Sequence, residues 1–137
     1  EAIRELVVNP AESIVTGSAA SGTTQVTLSS PPDILICLNA TNTICAYQAV
    51  VDHNKVGEIQ ILGYYDSEEI LTAVEKRIIQ ATVAVDANRV GTASVDSLME
   101  YVHFNRTSDF TPVGLTVVTA NNVDEYRAFV AAEQEGK

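Results

Sequence analysis

Hydrophobic and polar positions along the chain alternate between short β-rich runs and longer helical ones. Ile3, Leu6 and Val7 fall on one side of a helix, so Glu1–Val7 reads as the end of one. Glu12–Thr16 (ESIVT) reads as a short strand. Ala19–Ser29 places apolar Val26 and Leu28 among the weak helix formers Gly22, Thr23, Thr24 and Thr27. It is assigned to a helix because a connection between parallel strands calls for one, and Pro31-Pro32 stops it. Asp33–Leu38 (DILICL) is an unbroken apolar run, the pattern of a central parallel strand buried on both faces.

Further along, Asn42 is expected to cap a helix over Thr43–His53 that turns Ala46, Val50 and Val51 to one face. Gly57–Leu62 (GEIQIL) is the next strand. Ser67 then stands as the N-cap of a helix over Glu68–Arg77, whose first turn carries Glu68 and Glu69 against the helix dipole. Ile79–Val85 (IQATVAV) is a strand, Asn88–Phe104 a long amphipathic helix through Val90, Ala93, Leu98 and Val102, and Leu115–Thr119 (LTVVT) a last strand. Asn122 caps a closing helix, Val123–Glu133. Strands and helices alternating at short spacing imply an α/β fold: a parallel sheet with helices on both faces, three layers in all. No internal repeat, low-complexity tract or linker interrupts the 137 residues, so the length reads as one domain.

Composition narrows the function classes. Hydrophobic residues make up 46% and charged residues 19%, the balance of a globular chain. The formal charge of −10 argues against nucleic acid or an anionic membrane as a partner, because no basic patch could dominate the field. No apolar run approaches the roughly 18–20 residues that a membrane-spanning helix needs. The opening on Glu1, without Met or a leader, is expected of a processed or truncated piece. Cys37 and Cys45 are too few for a disulfide scaffold and are expected to be buried free thiols.

Ligands of parallel α/β sheets bind at the carboxyl ends of the strands. Those ends offer Asn39 and Asn42 after DILICL, Tyr64, Tyr65 and Asp66 after GEIQIL, and Asp86 after IQATVAV. Amides, phenols and carboxylates without a cation suit a neutral polyhydroxyl ligand, whose hydroxyls they hydrogen-bond while an aromatic ring packs on its apolar face. Each residue has a simpler use as well. Asn39 could satisfy loop backbone, Asn42 and Asp66 could cap helices, Tyr65 could pack on a rim and Asp86 could serve as a hinge.

Catalytic chemistry has no nucleus in the sequence. No Gly-x-Gly-x-x-Gly, Walker loop or Gly-x-Ser-x-Gly elbow occurs. His53 and His103 lie far apart on different helices, with no metal-ligand spacing around them, so neither a cofactor nor a metal is expected. Asn39-Ala40-Thr41 and Asn105-Arg106-Thr107 fit the N-glycosylation pattern, which arises often by chance.

The ordered series DILICLNATNTICAYQAVVD, VGEIQILGYYDS and AVEKRIIQATVAVD resembles the C-terminal half of type 1 periplasmic sugar-binding proteins. That family includes ribose- and galactose-binding proteins and the effector domains of lactose-repressor-type regulators. The later FTPVGLTVVTANNVDEY is similar to the family's closing strand, so the likeness runs from about Ile34 to Tyr126. It implies a chain that is one C-terminal lobe of a two-lobe protein, with residues 86–108 belonging to the N-terminal lobe and Val85-Asp86 marking the crossing. It implies that Asn39, Tyr65, Asp66, Asp86 and Asn42 bind the ligand. Three positions depart from the family's pattern: Ala40 replaces an acid, Tyr65 stands where relatives keep the sugar-binding Asp, and Val85 replaces Gln or Asn.

The function implied is non-catalytic binding of a small solute, a sugar first, as the substrate-binding component of an ABC-type uptake system with a membrane permease as partner. The alternative is a ligand-sensing domain of a two-component receptor or of a lactose-repressor-type regulator. A free-standing receiver- or flavodoxin-like domain is a third reading, but the acid cluster and late lysine of a receiver are not evident. Location is extracytoplasmic for a transport protein and cytoplasmic for a repressor. Surfaces bared by the absent lobe are expected to drive a homodimer or a helix swap.

Overall fold

Runs with one apolar face and helices with one apolar stripe assemble here around a four-stranded sheet. The structure, a computed structural model, describes residues 2–8, 14–19, 22–27 and 30–135. The order is α1 (Ala2–Val8), β1 (Ile14–Ala19), β2 (Gly22–Thr27), β3 (Ile34–Ile36), α2 (Ala40–Asp52), β4 (Gln60–Tyr64), α3 (Glu68–Glu75), β5 (Ala81–Val85), α4 (Ala87–Phe104), β6 (Leu115–Thr119) and α5 (Val123–Glu135). Strands β3, β4, β5 and β6 lie side by side in that order. Parallel pairing sets Leu35 opposite Ile61 and Gly63 opposite Thr82. The last pair is antiparallel, with Val85 opposite Leu115 and Thr82 opposite Val118.

The α/β class and the mostly parallel sheet are those expected. β6 runs the other way because the chain leaves the end of β5 through α4 and returns at that same end. Glu1 and Glu12 lie outside the described residues. Within the expected helix over Ala19–Ser29, the described residues are extended: Ala19 ends β1 and Gly22–Thr27 form strand β2, in an antiparallel hairpin with β1. Thr23, Thr24, Val26 and Thr27 are β-branched, and such side chains favour extended backbone over a helical turn. With β1 paired to β2, no strand among the described residues extends the sheet beyond β3. The run DILICL therefore forms an edge strand of three residues rather than a central one.

Alternation along the strands separates two faces. Ile61, Gly63, Thr82, Ala84 and Val118 are buried under α2, α3 and α5. One core cluster joins Ile61 to Ala46, Val50, Ile70, Val74 and Ile79; a second joins Ala84 and Val118 to Leu71 and Val123. Ile34, Ile36, Leu62, Leu115 and Val117, on the opposite face, are exposed. Among the described residues the helices thus cover one face of the sheet, where both were expected to be covered. Helix α4 has no buried residue, and its Val95, Leu98, Met99 and Val102 are at least half exposed at spacings of three and four. No described helix is long and apolar enough to cross a membrane.

One buried hydroxyl ties the first turn of α2 to the end of β4. Thr43 accepts from the Tyr64 N–H at 3.0 Å and donates to the Asn39 carbonyl at 2.8 Å, with the Tyr64 carbonyl 3.2 Å away. Gly63 is the reason Thr43 fits: a Cβ there would stand 2.7 Å from Thr43 Cγ2. Gln80 closes the other end of β4, its Oε1 accepting from the Ile61 N–H at 2.5 Å.

Candidate functional site

The carboxyl end of β4 stops on a strained residue. Tyr65 has φ +90°, a left-handed conformation that a bulky side chain rarely adopts. Two bonds hold it there: its N–H donates to the Val83 carbonyl at 2.9 Å, and its own carbonyl accepts from Thr82 Oγ1 at 2.7 Å. Backbone strain of this kind persists only where the surroundings over-determine it. The ring of Tyr65 is half exposed, at 50%.

Asp66 follows, and its Oδ2 accepts from the Tyr126 hydroxyl at 2.6 Å. The expected capping role for Asp66 is therefore not what it does. Ser67 occupies the N-cap position of α3 with extended backbone but makes no side-chain cap bond, and its hydroxyl is buried without a partner. Burial first, and then the bond to Asp66, push the Tyr126 phenol well above its usual range. Asp86 ends β5 and caps α4, Oδ1 accepting from the Arg89 N–H at 3.0 Å.

These residues meet in a cleft of about 410 Å³ at the ends of β4 and β5, lined by Tyr65, Asp66, Asp86, Arg89, Tyr126 and Glu133 among others. Three carboxylates outnumber one guanidinium, so the field favours neutral or positively charged ligands over anions. Glu133 accepts from Asn88 Nδ2 at 3.5 Å. Among the described residues no group of histidines, cysteines and acids could hold a metal ion.

Three of the five residues expected from the sequence, Tyr65, Asp66 and Asp86, are brought together. Asn39 and Asn42 are not in the lining of this cleft. Asn39 is the N-cap of α2, Oδ1 accepting from the Asn42 N–H at 2.8 Å. That corrects the expected capping role of Asn42, because the helix begins one turn earlier, at Ala40. Asn42 instead borders a separate depression with Arg4, Cys45 and His53. Asn122 does not turn forward to cap α5; its Oδ1 accepts from the Thr119 N–H at 2.7 Å, behind it. Cys37 is a buried free thiol whose pKa burial raises, but Cys45 is exposed, contrary to expectation.

Tyr126, Arg89 and Glu133 were not among the residues read from the sequence. Arg89 falls inside the helix expected over Asn88–Phe104, and Tyr126 and Glu133 inside the one expected over Val123–Glu133, with no local signal that sets them apart. The FTPVGLTVVTANNVDEY segment contained the residue but no sign of its partner, sixty positions earlier.

No protein-family model matches the sequence, and no curated protein matches it. Solved structures do. A glucose-galactose binding protein from Geobacillus stearothermophilus is 18% identical over 67% of this chain and 33% of its own, with a TM-score of 0.61. A sugar-binding protein of a sugar ABC transporter from Bacillus halodurans is 25% identical over 70% of this chain and 37% of its own, with a TM-score of 0.56. The XylFII–LytSN complex matches at 21% identity, 65% of this chain, 31% of that chain and a TM-score of 0.54. The chain spans about a third of the length of the solved structures it matches. It has the fold of a partial lobe of the type 1 periplasmic sugar-binding proteins.

Proposed function

We propose that this chain binds a small neutral solute, a sugar first, without chemistry, as part of the extracytoplasmic substrate-binding component of an ABC-type uptake system. The observation that carries the reading is the cleft at the ends of β4 and β5, where Tyr65, Asp66 and Asp86 present one aromatic ring and two acceptor groups. Carboxylates accept from sugar hydroxyls, and the half-exposed ring offers a face to the sugar's C–H surface. The likeness to sugar-binding proteins supports the same class of ligand.

The ligand closes between two lobes, of which this chain supplies the C-terminal one, and a hinge shifts the open–closed equilibrium. Residues 86–108 pack in the other lobe. The bare stripe Val95, Leu98, Met99 and Val102 on α4 supports that placement. Asn39 and Asn42 lie outside the lining of this cleft and are not among the contacts proposed, whereas Asp86 serves at once as cap, hinge and contact. A permease receives the closed form. The second reading, a ligand-sensing domain of a two-component receptor, is favoured by the likeness to the XylFII–LytSN complex.

The test is a nuclear magnetic resonance titration of the isotopically labelled chain with D-galactose, D-glucose, D-xylose and myo-inositol. With half of a clamp, affinity is expected at about 1 mM or weaker, roughly 4 kcal/mol of binding free energy. Shifts should concentrate at the amides of Tyr65, Asp66 and Asp86. Silence across the panel, or shifts centred on the α1–α2 depression, would sink the sugar reading.

A further inference from the structure

The bond between Tyr126 and Asp66 links two parts of the cleft that are sixty residues apart in sequence. A phenol has one hydrogen to donate, and here it is spent on Asp66 Oδ2 at 2.6 Å. Oδ1 has no protein partner among the described residues. It is left to the cleft that Asp66 lines. The backbone beneath is fixed as well, since Tyr65 is pinned by Val83 and Thr82 and Ser67 opens α3. The side-chain torsions of Asp66 are the remaining freedom, and Tyr126 removes it.

We propose that Tyr126 is a positioning residue: it holds Asp66 so that the free carboxylate oxygen meets a ligand hydroxyl, in a cleft whose carboxylates select neutral polyols over acidic sugars. The selectivity rests on the sugar-binding reading above; the positioning does not. An acidic sugar would bring a carboxylate toward Asp66, Asp86 and Glu133, all in the same cleft, with Arg89 as the one cation among the described residues of its lining. A neutral sugar brings hydrogens to the same acceptors. Tyr126 touches Asp66 rather than the ligand, so its effect on binding must pass through Asp66.

Two arms test this on the whole chain. Without ligand, three-bond couplings of Asp66 report one side-chain rotamer in the unmodified protein and averaged rotamers in Tyr126→Phe. Asp66 fixed in one rotamer in both proteins would overturn the positioning role. With ligand, D-galactose is titrated against the unmodified chain, Tyr126→Phe, Asp66→Asn and the double variant. Tyr126→Phe is expected to weaken binding about 5- to 10-fold in the Asp66 background, the cost of ordering a carboxylate that is no longer held, and not at all in the Asp66→Asn background. Equal losses in both backgrounds overturn the proposal. D-galacturonate should leave the cleft amides unmoved; binding as tight as D-galactose overturns the selectivity. If no neutral sugar moves any amide, the sugar reading and the selectivity fall together, while the rotamer arm still decides the positioning. Should Tyr126→Phe not fold, Asp66→Asn alone decides: the Tyr126 phenol titration must move down toward its usual range, and a phenol that stays put overturns the pair.

Discussion

Substituting Gly63 by Ala tests how the site is anchored. The added Cβ would lie 2.7 Å from Thr43 Cγ2, 3.3 Å from Thr82 Oγ1 and 3.5 Å from Ile79 Cγ2. Carbon atoms prefer to stay about 3.5–4.0 Å apart, so the Thr43 methyl must give way by nearly an ångström. It has little room, because Thr43 and Thr82 are fully buried and the Thr43 hydroxyl is fixed by Tyr64 and Asn39. Overpacking a core position by one methyl costs about 1–3 kcal/mol. Alanine recovers up to about 1 kcal/mol of that, through the lower entropy of the unfolded chain. The net expectation is a loss of about 1–2 kcal/mol, read as a lower urea midpoint at unchanged slope. Thr43→Ser supplies the control, since it keeps the hydroxyl and removes Cγ2. On its own it loses roughly 1 kcal/mol of methyl burial. Combined with Gly63→Ala it should recover most of the loss, with a coupling energy of about 1 kcal/mol or more. Additive losses in the double variant would refute the steric argument, as would a Gly63→Ala protein as stable as the parent.

Two further outcomes follow from the same structure. The Tyr126 phenol is raised above its ordinary value of about 10, so folding favours its protonated form; that contribution is full below about pH 10 and lost as pH rises beyond it. The urea midpoint should therefore fall above pH 10, and fall less in Tyr126→Phe; equal slopes in the two proteins would refute it. The bare sheet face of Ile34, Ile36, Leu115 and Val117, with the open stripe on α4, should drive self-association that light scattering reads as a concentration-dependent dimer. A monomer at high protein concentration would count against it.

What the sequence disclosed, and what it hid, divides by range. The junction Gly63–Glu69 was readable because alternation in QILGY and the acids at the start of α3 are local signals with local causes. Which asparagine caps α2 was not readable in the same way. Both Asn39 and Asn42 are good caps, and the choice depends on where β3 stops, which its single ladder to β4 decides. In the threonine-rich run Gly22–Thr27 a topological demand, a crossover helix, competes with β-branched chemistry, and the chemistry prevails. An unbroken apolar run such as DILICL reports that two faces want cover, but not whether cover is present, so it cannot distinguish a central strand from an edge one.

The candidate site is the most non-local object in the chain, which explains why only part of it was legible. Strand ends announce themselves, so Tyr65, Asp66 and Asp86 could be named from position alone. Their chemistry could not, because it is set by residues brought from elsewhere: Thr82 under the Tyr65 carbonyl and Tyr126 on Asp66. The replacement of the family's acid by Tyr65 looked in the sequence like the loss of a ligand group. In the structure the strained backbone of Tyr65 turns the chain, and the next residue, Asp66, supplies a carboxylate to the same cleft. A strained aromatic followed by a tethered acid places an acceptor at the strand end, one residue beyond the ring. On that argument Tyr65 belongs to the geometry that aims Asp66 as well as to the surface of the cleft.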